Sequence, residues 1–392
     1  MKKYKKMENF KHDPLRELTE IRNQLSYSKR IGFLFGAGTS KSMGISDISG
    51  LTKQVEKNIG NVLLPKLKKV KSQLNESEQH IEAILNHIRL IRQVTSDKED
   101  KSFDSLTGED VKSLDKSICN EIYKIISEEE SKAEIKVAHK FIGWLNWLSR
   151  DYPKEIFTTN YDLIIEKSLE HLFIPFFDGF IGSHEPFFAH ETLDGTSSYD
   201  RPPVSWIRLW KLHGSLGWFW KEGANGNSDR VIRLGAGAKE KFPESELVIY
   251  PSKDKYESSR KQPFTSYFDR LKEFLLVGEG IFLISGYSFS DDHINEVIFN
   301  GLNQNSRLHV IGLFFEDSPI DKLVAEGKNP PNFSMLGPSR ASISGICANW
   351  NFNKDGEILT QFWDKEKEKM TLGDFKQLVN FLILCSGMKN KE

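Results

Sequence analysis

The chain has 392 residues, of which 38% are hydrophobic and 28% are charged. This composition excludes a disordered chain and supplies enough apolar residues for a large core with one or two insertions. Lysine and arginine number 54 against 55 acidic residues, so no overall charge excess would draw the protein to nucleic acid or to a membrane.

Six short apolar runs bounded by turn residues predict β-strands. Their apolar residues are continuous rather than alternating, so both faces of each strand are expected to be buried. Helical patterns lie between several of these runs, which predicts an α/β fold: a doubly wound (Rossmann-like) parallel sheet with a large helical insertion. The predicted strands are residues 32–35, 156–158, 207–212, 247–250, 281–285 and 308–314.

Residues 51–150 form the predicted helical insertion. They carry three apolar stripes with helical spacing, which are more typical of packing faces than of cofactor sites. A polar linker over residues 95–110 is expected to divide this module. The stripes consist of Ile81, Ile84, Leu85, Ile88 and Ile91, then Leu114, Ile118, Ile122 and Ile125, then Val137, Phe141, Trp144, Leu145 and Leu148.

The insertion separates two parts of one sheet domain, residues 1–50 and 151–315. Residues 316–392 are expected to form a C-terminal extension. Within it, the pattern predicts a strand in residues 341–350 and a helix over residues 372–384.

The first predicted strand leads into a glycine turn, Gly36-Ala37-Gly38-Thr39-Ser40. Without side chains at its glycines, the backbone can bring N–H groups close to an anion, and a following helix N-terminus favours the same negative charge. A lysine follows where the dinucleotide fingerprint has its third glycine. The turn therefore predicts either a phosphate cradle or only a tight strand-to-helix connection.

Polar residues follow the second and third predicted strands, where a doubly wound sheet binds its ligands. Thr159-Asn160-Tyr161-Asp162 comes after the second strand, and Asn160 either caps the next helix or acts in the crevice. His213 comes at the end of the third strand, before a Gly-Ser pair. A lone histidine is more often structural, but this position favours a functional role.

A fourth motif follows the fifth predicted strand, in residues 286–295. Its small residues and hydroxyls predict either a second phosphate cradle or another capped helix start.

Together, these motifs resemble those of the sirtuin-like NAD-consuming proteins, over residues 30–50 and about 155–300. The fourth motif is similar to the bacterial branch of that family rather than to the protein deacetylases. The resemblance implies NAD in a Rossmann-like crevice, with Asn160 and His213 in the two catalytic positions. It implies that the NAD-binding residues are Gly36, Ala37, Gly38, Thr39, Ser40, Asp47, Thr159, Asp162, Gly286 and Ser288.

Two departures from the family pattern qualify this resemblance. Asp47 matches the acid that contacts the nicotinamide carboxamide, but Ile48 and Ser49 replace the phenylalanine and arginine that commonly follow it. The paired cysteines of the deacetylases' zinc module are absent, since the three cysteines lie far apart. We therefore expect no zinc or other metal, and deacetylation becomes the less expected activity.

The chemistry of NAD cleavage fits these few residues. Nicotinamide leaves as a neutral base, so its departure needs no general acid, unlike ordinary glycosides. We expect an NAD glycohydrolase that releases nicotinamide and ADP-ribose, with Asn160 and His213 acting on water or on ribose hydroxyls. Two alternatives stay open. One is an NAD-dependent deacylase or ADP-ribosyltransferase, and the other is a non-catalytic NAD or nucleotide sensor or assembly subunit.

Such an enzyme needs restraint, because unregulated cleavage would empty its own cell of NAD. We expect the helical insertion or the C-terminal extension to gate the site through self-assembly or a partner. Resemblance to prokaryotic anti-phage effectors implies a homo-oligomer and a HerA-type hexameric ATPase as partner. No leader or membrane segment is recognised and the cysteine usage fits a reducing compartment, so we expect a cytoplasmic protein without direct nucleic-acid binding.

Overall fold

The structure, a computed structural model, describes residues 10–193, 201–221, 223, 230–235, 247–249, 262–352 and 358–387. Its strands, in chain order, are β1 (Ile31–Phe35), β2 (Ser102–Phe103), β3 (Leu106–Thr107), β4 (Glu155–Thr158), β5 (Phe176–Phe177), β6 (Phe180–Ile181), β7 (Phe187–Phe188), β8 (Ile207–Lys211), β9 (Gly214–Lys221), β10 (Arg230–Arg233), β11 (Leu247–Ile249), β12 (Gly280–Ser285), β13 (Leu308–Leu313), β14 (Phe333–Leu336), β15 (Arg340–Ile343), β16 (Ile346–Asn349), β17 (Trp363–Asp364) and β18 (Lys369–Met370).

Helices surround these strands. In chain order they are α1 (Pro14–Tyr27), α2 (Ala37–Lys41), α3 (Ile48–Asn58), α4 (Leu64–Ser72), α5 (Ile81–Thr95), α6 (Gly108–Lys132), α7 (Lys136–Trp147), α8 (Ile164–His171), α9 (Phe264–Leu276), α10 (Asp292–Gln304), α11 (Ser318–Ala325) and α12 (Phe375–Cys385), with short 3-10 turns at Glu76–Glu78, His190–Thr192 and Ile358–Phe362. Among the described residues, no helix has both the length and the apolar composition that crossing a membrane requires.

The central sheet has nine strands in the order β16-β15-β14-β13-β12-β1-β4-β8-β5. All pairs from β14 to β5 are parallel, and only β15 and β16 run antiparallel at one edge. The chain starts in the middle, at β1, and adds strands first on one side and later on the other. This doubly wound order confirms the predicted fold class and places a topological switch point between β1 and β12.

Strand β1 shows why the parallel strands have continuous apolar sequences. All five of its residues are buried, and they pack on both faces of the sheet. Phe33 and Phe35 each meet the ring of Phe141 of α7 at 5.1 Å between centroids. Leu34 belongs instead to the core cluster that contains Phe274 of α9. Helices therefore cover both faces, so neither face can carry polar residues.

The second sheet differs from the prediction. It has five strands in the order β11-β9-β10-β7-β6, all antiparallel where they pair. The predicted strand at residues 247–250 is a strand over Leu247–Ile249, with Tyr250 outside the described residues, but it pairs with β9 rather than with the parallel sheet. A short apolar run indicates a strand without indicating its partner, which explains this error.

The helical insertion packs mainly on itself. Helices α3, α4, α5 and α6 contact one another, and the first two predicted stripes are buried between them. Helix α7 behaves differently, because Phe141 lies against Phe33 and Phe35 of β1. We therefore propose that the sheet domain resumes at α7 rather than at residue 151.

The C-terminal extension adds strands and a helix to the central sheet domain. The strand predicted in residues 341–350 is the hairpin β15–β16, and the helix predicted over residues 372–384 is α12. Phe375 of α12 meets the ring of Phe35 at 5.2 Å between centroids. The extension thus covers the sheet beside the end of β1.

Candidate active site

Two loops meet at the switch point, one after β1 and one after β12. The N–H of Gly38 donates to the carbonyl of Gly286 at 2.9 Å, and the N–H of Thr39 donates to the carbonyl of Gly36 at 3.0 Å. A Cβ atom on Gly36 would lie 2.5 Å from the carbonyl oxygen of Gly286 and 2.7 Å from the Cα of Tyr287. Close packing of two backbones therefore explains the glycines, and phosphate binding by this turn stays a prediction.

Asn160 is joined to the first motif through its side chain. Its Nδ2 group donates to Thr39 Oγ1 at 3.0 Å and to Ser40 Oγ at 2.8 Å. The Thr39 hydroxyl itself donates to the carbonyl of Gly36, and the Ser40 hydroxyl donates to Asp162 Oδ2. Both hydroxyl protons are committed, so the two hydroxyls can only accept from Asn160. The amide therefore keeps Oδ1 as the acceptor that it can offer to a ligand.

Lys211 holds the loop that carries Asn160. It is buried at the end of β8, and its ammonium donates to Glu166 Oε1 at 2.9 Å and to the carbonyls of Tyr161 and Asp162. No role for Lys211 was predicted from the sequence. Its three acceptors show that it fixes the turn between β4 and α8.

His213 lies between β8 and β9 and is 5% exposed. Its Nε2 is 3.0 Å from Asp291 Oδ2. Asp291 also caps α10, because its Oδ1 accepts from the N–H groups of His293 and Ile294. Burial raises the pKa of Asp291, but His213 and these two N–H groups outweigh that effect, so the pKa lies below its ordinary value. The ionised carboxylate then accepts a hydrogen from His213 Nε2.

Replacing Asp291 with asparagine separates its charge from its capping role, because asparagine caps helices as well as aspartate does. The lowered pKa means that the carboxylate stabilises the fold above its ordinary pKa of about 4, and that this contribution disappears as pH falls through the lower folded value. We expect Asp291→Asn to cost about 1 kcal/mol at pH 7 and less near about pH 3, where the carboxyl of the unfolded chain is mostly protonated. Chemical denaturation at both pH values checks this, and an equal cost at both would contradict it.

Two groups beside His213 were not predicted from the sequence. Glu82 of α5 places Oε1 4.0 Å from His213 Nδ1, and the hydroxyl of Tyr161 donates to the same carboxylate oxygen. Tyr161 belongs to the second motif, but no sequence signal connects it with Glu82. Asp291 likewise lies in the fourth motif, but no role for it was predicted from the sequence.

Asp47 is held in place by its own neighbours. Its Oδ1 accepts from the N–H of Gly50 at 2.9 Å, and its Oδ2 pairs with Lys41 Nζ at 2.6 Å. The Lys41 hydrogen bond is the main reason why the pKa of Asp47 lies below its ordinary value. Both carboxylate oxygens are therefore occupied, and a nicotinamide contact at Asp47 would have to share or displace Lys41.

These loops surround a cleft of about 1870 Å³. Small-molecule sites usually span roughly 300–1,000 Å³, so the cleft has room for a dinucleotide. Its walls include residues of α5 and of the C-terminal extension, which the sequence motifs did not reveal. Of the predicted site residues, Gly36 and Thr39 do not line it, and Thr39 lies at an adjoining cavity of about 10 Å³. The predicted residues that do line the cleft are Ala37, Gly38, Ser40, Asp47, Thr159, Asn160, Asp162, His213, Gly286 and Ser288.

The described part of the chain contains no cluster of three or more His, Cys, Asp or Glu residues suited to a metal ion. Cys119, Cys347 and Cys385 form no disulfide bond with one another. The expectation that the protein binds no zinc remains a prediction.

Comparison with known families gives one match within the chain. Residues 154–329 match the model of the SIR2-like domain. This SIR2-like segment contains Asn160, His213 and Asp291, whereas the first glycine turn lies outside it. No curated protein matches the chain.

Two solved structures show a weak likeness in fold. One is a Sir2 variant with a deacetylated p53 peptide and 3'-O-acetyl ADP-ribose, with a TM-score of 0.40 and 11% identity over 95% of this chain and 99% of that chain. The other is Sir2Tm bound to a propionylated peptide, with a TM-score of 0.38 and 10% identity over 80% of this chain and 99% of that chain. At such values the likeness supports no comparison of individual residues.

Proposed function

We propose that this protein is an NAD glycohydrolase, which cleaves NAD to nicotinamide and ADP-ribose. The observation that carries the proposal is the convergence of Asn160 and His213 on one cleft at the switch point of the sheet. Both residues belong to the segment that matches the SIR2-like domain. In doubly wound folds, this is the place where dinucleotides bind.

The lining of the cleft suits a dinucleotide substrate. Ser42, Ser288 and Ser290 line it together with Ala37 and Gly38. Serine hydroxyls can donate hydrogen bonds to phosphate and ribose oxygens, whereas the N–H of Gly38 already donates to the carbonyl of Gly286. The predicted NAD contacts are therefore chemically consistent with the residues present.

We assign a separate role to each catalytic residue. Asn160 offers Oδ1 as an acceptor, which would orient the attacking water or a ribose hydroxyl. His213 lines the same cleft and would take a proton from the same hydroxyl group. The nicotinamide leaves as a neutral molecule, so no general acid is required.

We also propose that the activity is regulated and serves anti-phage defence, as the resemblance implies. A homo-oligomer or a HerA-type ATPase partner would then release the activity. The contribution of α5 and of the C-terminal extension to the cleft wall supports gating by these parts of the chain.

Product analysis tests the proposal. The protein is incubated with NAD, alone and with a neighbouring-gene ATPase, in the presence and absence of an acetylated peptide. We expect nicotinamide and free ADP-ribose in equal amounts, formed without the peptide. Acetyl-ADP-ribose that requires the peptide would favour deacylation, ADP-ribose attached to protein would favour transfer, and saturable NAD binding without product would favour a sensor.

A further inference from the structure

The catalytic histidine contacts a part of the chain that lies outside the SIR2-like segment. Glu82 of α5 is 18% exposed at its side chain and places Oε1 4.0 Å from His213 Nδ1. We propose that Glu82 is a positioning residue for His213 and that the helical insertion thereby completes the active site. This inference rests on the proposed NAD cleavage and adds a group that controls it.

The positions of the ring hydrogens of His213 indicate why a second carboxylate affects the charge of the ring. Asp291 accepts the Nε2 hydrogen, so a second ring proton would lie on Nδ1, which is buried and faces Glu82. When the ring takes a proton, the O–H bond of water or of a ribose hydroxyl breaks and the ring gains its second N–H bond. The ring becomes an imidazolium whose positive charge lies between the carboxylates of Asp291 and Glu82, which stabilise it.

Tyr161 holds Glu82 in this position. Its hydroxyl donates to Glu82 Oε1, the same oxygen that faces His213. Tyr161 directly follows Asn160 in the chain, so the second motif, the insertion and the histidine are connected through one carboxylate. A shift of α5 would therefore displace the carboxylate that faces His213.

Helix α6 fastens the insertion to the other motifs. Glu129 accepts from the N–H and the hydroxyl of Ser46, next to Asp47, at 2.8 and 2.6 Å. Glu130 accepts from the N–H of Leu163 and from Lys167, beside the second motif. The insertion thus contacts the loops of three motifs, and moving it away would remove Glu82 from His213.

Removal of the Glu82 charge provides the test. Glu82→Gln keeps the size of the side chain, Glu82→Asp keeps its charge, and Glu99→Gln changes an exposed carboxylate elsewhere on the insertion. We expect Glu82→Gln to lower kcat for NAD cleavage about tenfold with KM almost unchanged. The acid limb of its pH–rate profile moves about one unit lower, because a nearby carboxylate favours protonated histidine.

The pH profile depends on every titratable group around the ring. We expect Glu82→Asp to retain the wild-type profile and Glu99→Gln to retain both rate and profile. The titratable and charged groups that line the same cleft include Glu78, His80, Arg89 and Arg92 from the insertion, Tyr161 and Asp162 from the second motif, Tyr287 and Asp291 from the loop before α10, and Asp292 and His293 at the start of α10.

A measurement without NAD separates this inference from the proposed function. The ring signals of His213 are followed by NMR during a pH titration of wild type and Glu82→Gln, with thermal unfolding to establish that both are folded. A midpoint about one unit lower in Glu82→Gln supports the inference, even if the wild type cleaves no NAD. An unchanged midpoint overturns it, even if the wild type cleaves NAD rapidly.

Discussion

Replacing Asn160 with alanine is expected to slow NAD cleavage roughly 100- to 1,000-fold, because the variant loses the only acceptor that this side chain offers to water or a ribose hydroxyl. The fold is expected to lose only about 1 kcal/mol. Thr39 and Ser40 still donate to the carbonyl of Gly36 and to Asp162, so no buried donor is left without an acceptor. Steady-state kinetics and chemical denaturation measure the two effects.

A matched asparagine controls for the substitution itself. Asn61 is exposed and does not line the cleft, so Asn61→Ala should keep full activity. Loss of activity in Asn160→Ala that only follows a loss of folded protein would contradict the assigned role. An active, well-folded Asn160→Ala enzyme would contradict it more directly.

Replacing Gly36 with alanine is expected to cost about 3 kcal/mol of folding free energy and most of the activity. The new Cβ atom would lie 2.5 Å from the carbonyl oxygen of Gly286 and 2.7 Å from the Cα of Tyr287. Both neighbours are backbone atoms, so relief requires the loops after β1 and β12 to separate. That separation would also displace the residues of the first motif that line the cleft.

Gly143 supplies the opposite case for the same substitution. It lies inside α7, and a Cβ atom there would meet nothing within 4 Å. Gly143→Ala should therefore gain roughly 0.5–1 kcal/mol, since alanine favours the helix. Equal effects of the two substitutions on the free energy of unfolding, measured by denaturant titration, would show that the close approach at Gly36 does not affect stability.

The parallel strands could be predicted because burial on both faces imposes continuous apolar residues. Strand β1 follows the predicted run almost residue for residue, and its neighbours β4 and β12 do the same. Strand β9 was not among the six predicted apolar runs, since Gly214 and Gly217 resemble turn residues.

The candidate site was predictable only where its residues lie next to strand ends. Asn160 and His213 follow β4 and β8, so topology alone brings them to one edge of the sheet. Glu82 reaches the same place from a helix in the insertion, and its partner Tyr161 has the appearance of an ordinary motif residue. Tertiary packing decides that contact, and no spacing in the sequence encodes it.

Nicotinamide release from NAD by the wild type, Asn160→Ala and His213→Ala tests the central claim most directly. All three proteins are compared at equal concentration of folded protein, with the same activating partner where one is needed. The account predicts nicotinamide and free ADP-ribose from the wild type and at least a 100-fold slower release from each variant. Release by both variants at the wild-type rate would contradict the account.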